Sequence, residues 1–256
     1  PQVWVWREGR VKKIKKYIDH ILLLFNFEKK YFEKEFVSCE FVGHPLLDEQ
    51  QTKIDINQVI GKNKALISIF AGSRDSEISV LMPILLNFIK LMNEKYSDIT
   101  YVFHATKEFS SLTQSFIKKS DLSNCQVISD DKIKSHILKR SVFAVAKSGT
   151  VSLEICNAKI PSIIIYKVGF INFLIIKFLV KTKYANIINF AADKEIIPEL
   201  LQSNCNSNNI FKTVSSYLEH PGEMSEQVKK VQIILDKLKI SGSSSELTSL
   251  SLNKFL

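Results

Sequence analysis

Ala144-Val-Ala-Lys-Ser-Gly-Thr-Val-Ser-Leu-Glu-Ile155 is the stretch whose reading decides the fold. An apolar run reaches Lys147-Ser148-Gly149-Thr150 and passes, without a spacer, into a helical pattern that carries Glu154. A strand, a turn of small residues and a helix start point unpaired backbone N–H groups and the positive end of the helix dipole the same way, which suits a phosphate. Glu154 falls one helical turn beyond Thr150 on the same face, where a carboxylate can accept hydrogen bonds from a ribose. Together these features predict a nucleotide-sugar site.

The same alternation extends outward. Short, uninterrupted apolar runs at 21–25, 41–42, 65–70, 100–104, 125–128, 142–146 and 162–166 alternate with amphipathic helical stretches at 76–95, 108–119, 131–139 and 151–158. Such runs indicate a parallel sheet covered on both faces, with ligands at the carboxyl ends of its strands. Before them, Val3-Trp4-Val5-Trp6 reads as a strand and residues 8–17 as a basic helix. Beyond Pro198 the pattern reads as purely helical, at 209–218 and 223–238, and a serine cluster at 241–245 sets off the last segment.

A second phosphate-like turn lies in Ile69-Phe-Ala-Gly-Ser-Arg-Asp-Ser-Glu-Ile78. Its strand ends at Phe70, Gly72-Ser73 turn tightly, and Arg74 offers a permanent charge with forked donors suited to a diphosphate. Ser76 and Glu77 are also ordinary helix-start chemistry. Two such turns at the ends of neighbouring strands make the phosphate reading the stronger one.

Composition sets the outer bounds. At 256 residues, with 45% hydrophobic and 24% charged residues, the chain suits one large or two modest domains with a real core. The net charge of +9 admits nucleic acid, anionic lipid or a phosphorylated substrate. Cys39, Cys125, Cys156 and Cys205 contain no CxxC pair and have no clustered His, so no metal site is expected and reduced thiols are. The chain opens on Pro1 inside an apolar run, with no signal peptide, and the natural chain is expected to begin earlier.

Other features carry two readings each. Lys147 either reaches a phosphate or is solvated at a strand end. Glu154 sits among Val151, Leu153, Ile155 and Ala158, which favours a purpose for the one carboxylate over simple exposure. His44, in Gly43-His44-Pro45, reads as a structural cap; His20, His104, His136 and His220 receive no role. Arg7, Arg10, Lys12, Lys13, Lys15 and Lys16 line one helix, with Val11, Ile14 and Ile18 spaced for its inner face. That outer face is either simply solvated or meets an anionic membrane; without an aromatic stacking platform, nucleic acid is not expected. Residues 169–180 are apolar nearly all round but span only roughly 18 Å, too short to cross a bilayer. They either pack on the sheet or insert shallowly, flanked by Lys177, Lys181 and Lys183.

These stretches together resemble the lipid-A-disaccharide synthase family of GT-B glycosyltransferases. The resemblance is carried by residues 1–7 with 10–13, Phe27-Glu28, Phe41-Val-Gly-His-Pro45, Gly72-Ser-Arg74 with Ser76-Glu77, and Ala146-Lys-Ser-Gly-Thr150 with Leu153-Glu154. Val180-Lys-Thr-Lys-Tyr184, Asn189 and Pro198-Glu-Leu-Leu-Gln202 complete it in family order. Two departures stand out: Ala71 replaces a usual Pro before the Gly-Ser-Arg turn, and Ile188-Asn189 replaces a usual Pro-Asn. Each loses a rigid backbone element without removing a functional group.

The resemblance implies an α/β GT-B architecture. Residues 1–45 would be the end of the acceptor-side domain and linker, 46–215 a Rossmann-like UDP-sugar domain, and 216–256 a helical tail. It implies transfer of 2,3-diacylglucosamine from UDP-2,3-diacylglucosamine to lipid X, giving lipid A disaccharide 1-phosphate and UDP, with inversion and without metal or cofactor. Gly72, Ser73, Arg74, Lys147, Ser148, Gly149 and Thr150 would hold the diphosphate, Glu154 the ribose, and Asn189 would help fix the donor. Family members carry roughly another third of their length before Pro1, including the proposed catalytic base, so no catalytic residue is expected in this chain. The implied setting is peripheral on the cytoplasmic side of the inner membrane, with a homodimer among the assemblies it allows. Another GT-B enzyme acting on a UDP-sugar, and a non-catalytic donor-binding remnant of a split gene, stay open beside it.

Overall fold

The computed structural model describes residues 3, 9–48, 65–169 and 182–255. The chain begins with α1 (Arg10–Ile14), β1 (His20–Leu23), α2 (Lys29–Glu33) and β2 (Ser38–Phe41). These strands pair in parallel, His20 opposite Ser38 and Leu23 opposite Phe41, over a small core of Val11, Leu23, Phe32 and Val37. Strict alternation follows: β3 (Ala65–Phe70), α3 (Asp75–Lys95), β4 (Ile99–His104), α4 (Ser110–Lys118), β5 (Cys125–Ile128), α5 (Asp131–Arg140), β6 (Phe143–Lys147), α6 (Val151–Asn157) and β7 (Ser162–Tyr166). The last part holds α7 (Ile187–Ala192), β8 (Glu199–Leu201), α8 (Ser207–Glu219), α9 (Pro221–Leu238) and α10 (Ser244–Leu252).

Strands β3 to β8 form one parallel sheet in the order β5-β4-β3-β6-β7-β8. Its central strand explains the mainly apolar run of 65–70, in which the one polar residue, Ser68, is buried too. Ile67 and Ile69 face the core against α3 and α8, while Leu66 and Phe70 face helices on the other side. A strand buried on both faces has no solvent side to alternate with. Each such side chain contributes roughly 1.5–3 kcal/mol on burial. Strand order reverses between β3 and β6, so a crevice opens at their carboxyl ends.

Three expectations change. The chain is not purely helical beyond Pro198, because Glu199–Leu201 pairs with β7; three residues are too few to show a period. The boundary placed at 215 and 216 cuts through α8, whose Val214 and Ser215 are both buried. Ile18 does not join the inner face of α1: the helix ends at Ile14, and Ile18 stands 45% exposed. Arg10, Lys12, Lys13, Lys15 and Lys16 do lie on the exposed side. Arg7, the strand expected at 3–6 apart from Val3, and all of 170–181 lie outside the described residues.

The last helix returns to the first unit. Ser244 donates from N and Oγ to Asp48 Oδ2 at 3.2 and 2.7 Å. Ser251 Oγ donates to Glu40 Oε2 at 2.6 Å, and Lys254 Nζ pairs with the same carboxylate at 2.9 Å. Gly43 takes φ +85° beneath Ile240, whose Cγ2 would lie 2.6 Å from any Cβ there.

Candidate functional site

Both phosphate-like turns leave neighbouring strands. Phe70 is the register partner of Ala146, so the turn after β3 and the turn after β6 stand side by side at the switch in strand order. Gly72 takes φ +126°, a conformation open to glycine, and a Cβ there would meet the Glu77 Cβ and Oε2 at 2.7 Å. The turn therefore closes tightly over the Glu77 side chain.

Glu77 is the hub. Its Oε2 accepts from the Ser73 N–H at 3.1 Å, and its Oε1 accepts from Arg74 Nη1 at 2.8 Å and Lys147 Nζ at 2.9 Å. Burial pushes this carboxyl up, but the Lys147 ammonium, the Ser73 N–H and Arg74 outweigh that and hold it below its ordinary 4.5. Lys147 is itself only 17% exposed, its Nζ 5.5 Å above the Tyr166 ring. Arg74 is 73% exposed, so its remaining donors face open solvent.

The backbone completes the arrangement. Glu77 and Ile78 N–H bond to the Arg74 carbonyl, while the N–H groups of Arg74, Asp75 and Ser76 make no backbone bond among the described residues. In the second turn, Ser148 N–H bonds to the Ile165 carbonyl and Ser152 N–H to Gly149, leaving the N–H groups of Gly149 and Thr150 similarly unused. Ser148 Oγ does not face the turn; it donates to the Ala185 carbonyl at 2.7 Å. Thr150 makes no side-chain cap to α6.

Glu154 belongs to a second charge cluster. Its Oε2 lies 2.8 Å from Lys134 Nζ of α5, and His44 is near enough to feel its charge. Burial draws His44 down, against Asp48 and Glu154, and its Nδ1 accepts from the Leu46 N–H at 3.2 Å. His44 thus caps the turn after it, a structural role.

Asn189 departs from its expected part as a donor contact. It is wholly buried, its Oδ1 accepting from Ile196 and Ile197 N–H and its Nδ2 donating to the Ile197 carbonyl and Glu199 Oε1. Every hydrogen-bonding position of the amide is filled from within the chain. Glu199 in turn receives the Ala185 and Asn186 N–H groups, so Asn189 positions the 185–186 loop that Ser148 grips.

Sequence reasoning missed Glu77 as an organising group, reading it only as helix-start chemistry. The available signal was its place three residues after Arg74. It also missed Lys134, and a buried chain of polar groups. Ser141 Oγ donates to the Ile137 carbonyl and Ser68 Oγ lies 2.8 Å from Ser141 Oγ, so Ser68 donates there. Ser68 must then accept from His104 Nε2 at 3.0 Å, which leaves His104 Nδ1 as an acceptor without a partner among the described residues. The four cysteines are free, and burial raises Cys125 and Cys156 to about 12 and Cys205 to about 11, far from nucleophilic thiolates. No three metal-ligating side chains cluster among the described residues.

A family profile described as lipid-A-disaccharide synthetase matches residues 1–251. A lipid-A-disaccharide synthase of Coxiella burnetii is 34% identical over 225 residues, covering 86% of this chain and 58% of its own length. One from Rickettsia typhi is 32% identical and one from a Sulfurihydrogenibium species 35%, covering 96% and 95% of this chain and 65% and 67% of themselves. The chain therefore spans about three fifths to two thirds of these relatives. Among solved structures, UDP-GlcNAc 2-epimerase from Neisseria meningitidis bound to UDP-GlcNAc superposes with a TM-score of 0.64 at 14% identity, over 92% of this chain and 62% of the epimerase. The S. aureus MnaA–UDP structure gives 0.62 at 13% identity, over 86% of this chain and 57% of MnaA. These last two likenesses show the fold, a GT-B-type parallel α/β arrangement with a helical C-terminus.

Proposed function

The chain belongs to the lipid-A-disaccharide synthase family, and from that premise we propose that it supplies the UDP-sugar-binding part of an inverting glycosyltransferase. The reaction is transfer of 2,3-diacylglucosamine from UDP-2,3-diacylglucosamine to lipid X, giving lipid A disaccharide 1-phosphate and UDP. One observation carries this reading: Arg74 and Lys147, from the turns after two adjacent strands, meet on the single Glu77 carboxylate beside unused backbone N–H groups.

In this mechanism the diphosphate lies across the two turns. Arg74 and the N–H groups of Gly149 and Thr150 meet the negative charge that grows on departing UDP, while Lys147 is held aimed by Glu77. Fixed donors of this kind each contribute about 3 kcal/mol in a sheltered site. Glu154, its charge matched by Lys134, offers its remaining acceptor positions to ribose hydroxyls. Removal of the acceptor proton falls to the part of the relatives that this chain does not span.

The donor domain on this reading runs from residue 46 to the end of α8, with α9 and α10 as the tail. The exposed basic residues of α1, beside Tyr17 at 75% and Phe36 at 87% exposure, form the face for an anionic inner-membrane surface on the cytoplasmic side. No helix of the described residues is long and apolar enough to cross a membrane.

Calorimetric titration of the full chain with UDP tests the site. UDP affinity lowered at least several-fold by Arg74→Ala supports it, and no heat with the unaltered protein overturns it. A transfer assay with UDP-2,3-diacylglucosamine and lipid X, run against UDP-GlcNAc, then separates lipid transfer from other UDP-sugar chemistry.

A further inference from the structure

A buried polar path leads from the end of α5 toward the carboxyl ends of the strands and stops one link short. Ser141 donates to the Ile137 carbonyl, Ser68 to Ser141, and His104 Nε2 to Ser68 at 3.0 Å. These bonds fix the tautomer, so His104 Nδ1 carries a lone pair and can only accept. His104 is 8% exposed, its ring stacked on Phe70 at 4.4 Å, and Nδ1 meets no donor among the described residues. A buried acceptor left open is costly, and native interiors hold few of them.

The fold brings an ammonium group to the same place. Helix α5 follows β5 and runs back against the strand direction, with Ile137 packed on Leu66 and Val102. From Val102, His104 lies two residues further toward the carboxyl ends, on the same face of the sheet. From Ile137, Lys134 lies one helical turn back toward those same ends. Lys134 and His104 therefore share the face that α5 covers, and the charge of Lys134 reaches the imidazole. An ammonium has three donors. Lys134 Nζ places one on Glu154 Oε2 at 2.8 Å and faces Asp131 Oδ1 at 3.6 Å. These two contacts differ in kind. Glu154 is 20% exposed and Asp131 92%, so the second is a loose surface pair screened by water.

We propose that His104 is a positioning residue for ribose recognition: when a nucleoside covers the site, Lys134 leaves Asp131 and donates to His104 Nδ1, pinning Glu154 for the ribose hydroxyls. This rests on the donor reading above, in which Glu154 takes the ribose. A bound nucleoside shields Lys134 from water while Asp131 stays solvated, so the buried nitrogen becomes the better partner. Lys134 then joins Glu154 through His104 and Ser68 to Ser141 without a break. Glu154 Oε1, which accepts nothing among the described residues, is left for the hydroxyls. A carboxylate prepared in this way favours a diol, because a sugar lacking the hydroxyls leaves its acceptor positions unfilled.

Calorimetry of the full chain compares UDP with 2′,3′-dideoxy-UDP. The unaltered protein should prefer UDP about tenfold, a selectivity within reach of a polar group built to read hydroxyls. A Gln amide falls near the Nε2 position of an imidazole and an Asn amide near Nδ1, so the two substitutions separate the two ring nitrogens. His104→Gln and Lys134→Met should each cut the preference to about twofold or less, whereas His104→Asn should keep it. A purely structural His104 would make the Gln and Asn variants lose the preference alike or keep it alike, and either outcome overturns the proposal. Nitrogen-15 NMR of the unaltered, histidine-labelled protein gives a second readout that needs no variant to fold. UDP should move the His104 Nδ1 resonance in the direction of hydrogen bonding and leave Nε2 in place; an unmoved Nδ1 overturns the proposal. Equal affinity of the unaltered protein for both nucleotides removes Glu154 from the ribose, and absent UDP heat removes the donor reading. Either takes the proposal with it, whereas an intact preference in His104→Gln sinks the relay alone.

Discussion

Lys147 Nζ stands 2.9 Å from Glu77 Oε1, joining the end of β6 to the start of α3 across the switch in strand order. Because the same carboxylate takes Arg74 and the Ser73 N–H, one buried acid fixes the relative position of both turns. Removing its charge should loosen all three donors together. Glu77→Gln is expected to weaken UDP binding roughly tenfold, since charge-assisted bonds are worth about 1.5–3 kcal/mol each. An increase in UDP affinity in calorimetry would show instead that the carboxylate competes with phosphate.

Glu77 also predicts an acid response. Its carboxyl sits below the ordinary 4.5, so its stabilising contribution is present above that value and is lost as pH falls through the folded value. Thermal melts from pH 6 down to pH 3 should fall more steeply for the unaltered chain than for Glu77→Gln.

Arg74→Ala removes an exposed guanidinium whose one bond goes to Glu77. The melting temperature should move by less than about 2 °C, because such surface ion pairs contribute about 0–1 kcal/mol. UDP affinity should fall at least several-fold; unchanged affinity removes Arg74 from the site.

Gly72→Ala forces a Cβ to within 2.7 Å of the Glu77 side chain at φ +126°. Strain of roughly 1–3 kcal/mol is expected, together with loss of UDP binding. An alanine variant that melts and binds like the original would mean that the turn has room to relax.

His104 supplies a second pH dependence. Burial, with Lys134 nearby, pulls its imidazole down to about 3. Between about 3 and the ordinary 6.5 the unfolded chain holds a proton that the folded chain refuses, so stability drops as pH falls across that window. The slope from this one group is about 1.4 kcal/mol per pH unit. His104→Asn should flatten chemical-denaturation stability between pH 6 and pH 4 by one proton's worth; an unaltered slope would show that another group titrates there.

Much of this was legible beforehand because sterics and burial act locally. The runs at 65–70 and 162–166 gave their strands to the residue, since strands buried on both faces stay largely apolar, and so did 125–128, though it is a half-buried edge strand that includes Gln126. The turns at 72–74 and 147–150 were readable because glycine reaches backbone conformations closed to other residues and serine bonds nearby backbone, so the two between an apolar run and a helix mark a turn. Glu77 was not, because its importance comes from Lys147, seventy positions along the chain. Glu154 finding Lys134, and Ser68 finding His104 and Ser141, are likewise products of the sheet order. Asn189 was found by resemblance but given the wrong partner. Only the fold reveals that its amide is spent on residues 196–199.

The grip of Ser244, Ser251 and Lys254 on Asp48 and Glu40 makes residues 244–254 a strap across to the leading unit. Any swing of the leading unit relative to the large sheet must drag α10 along or first unfasten it. A purification tag fused after Leu256 would therefore weigh on that fastening, whereas trimming the chain after Leu238 would leave the leading unit held by the packing of Phe25, Phe27 and Leu47 against the large sheet and its helices.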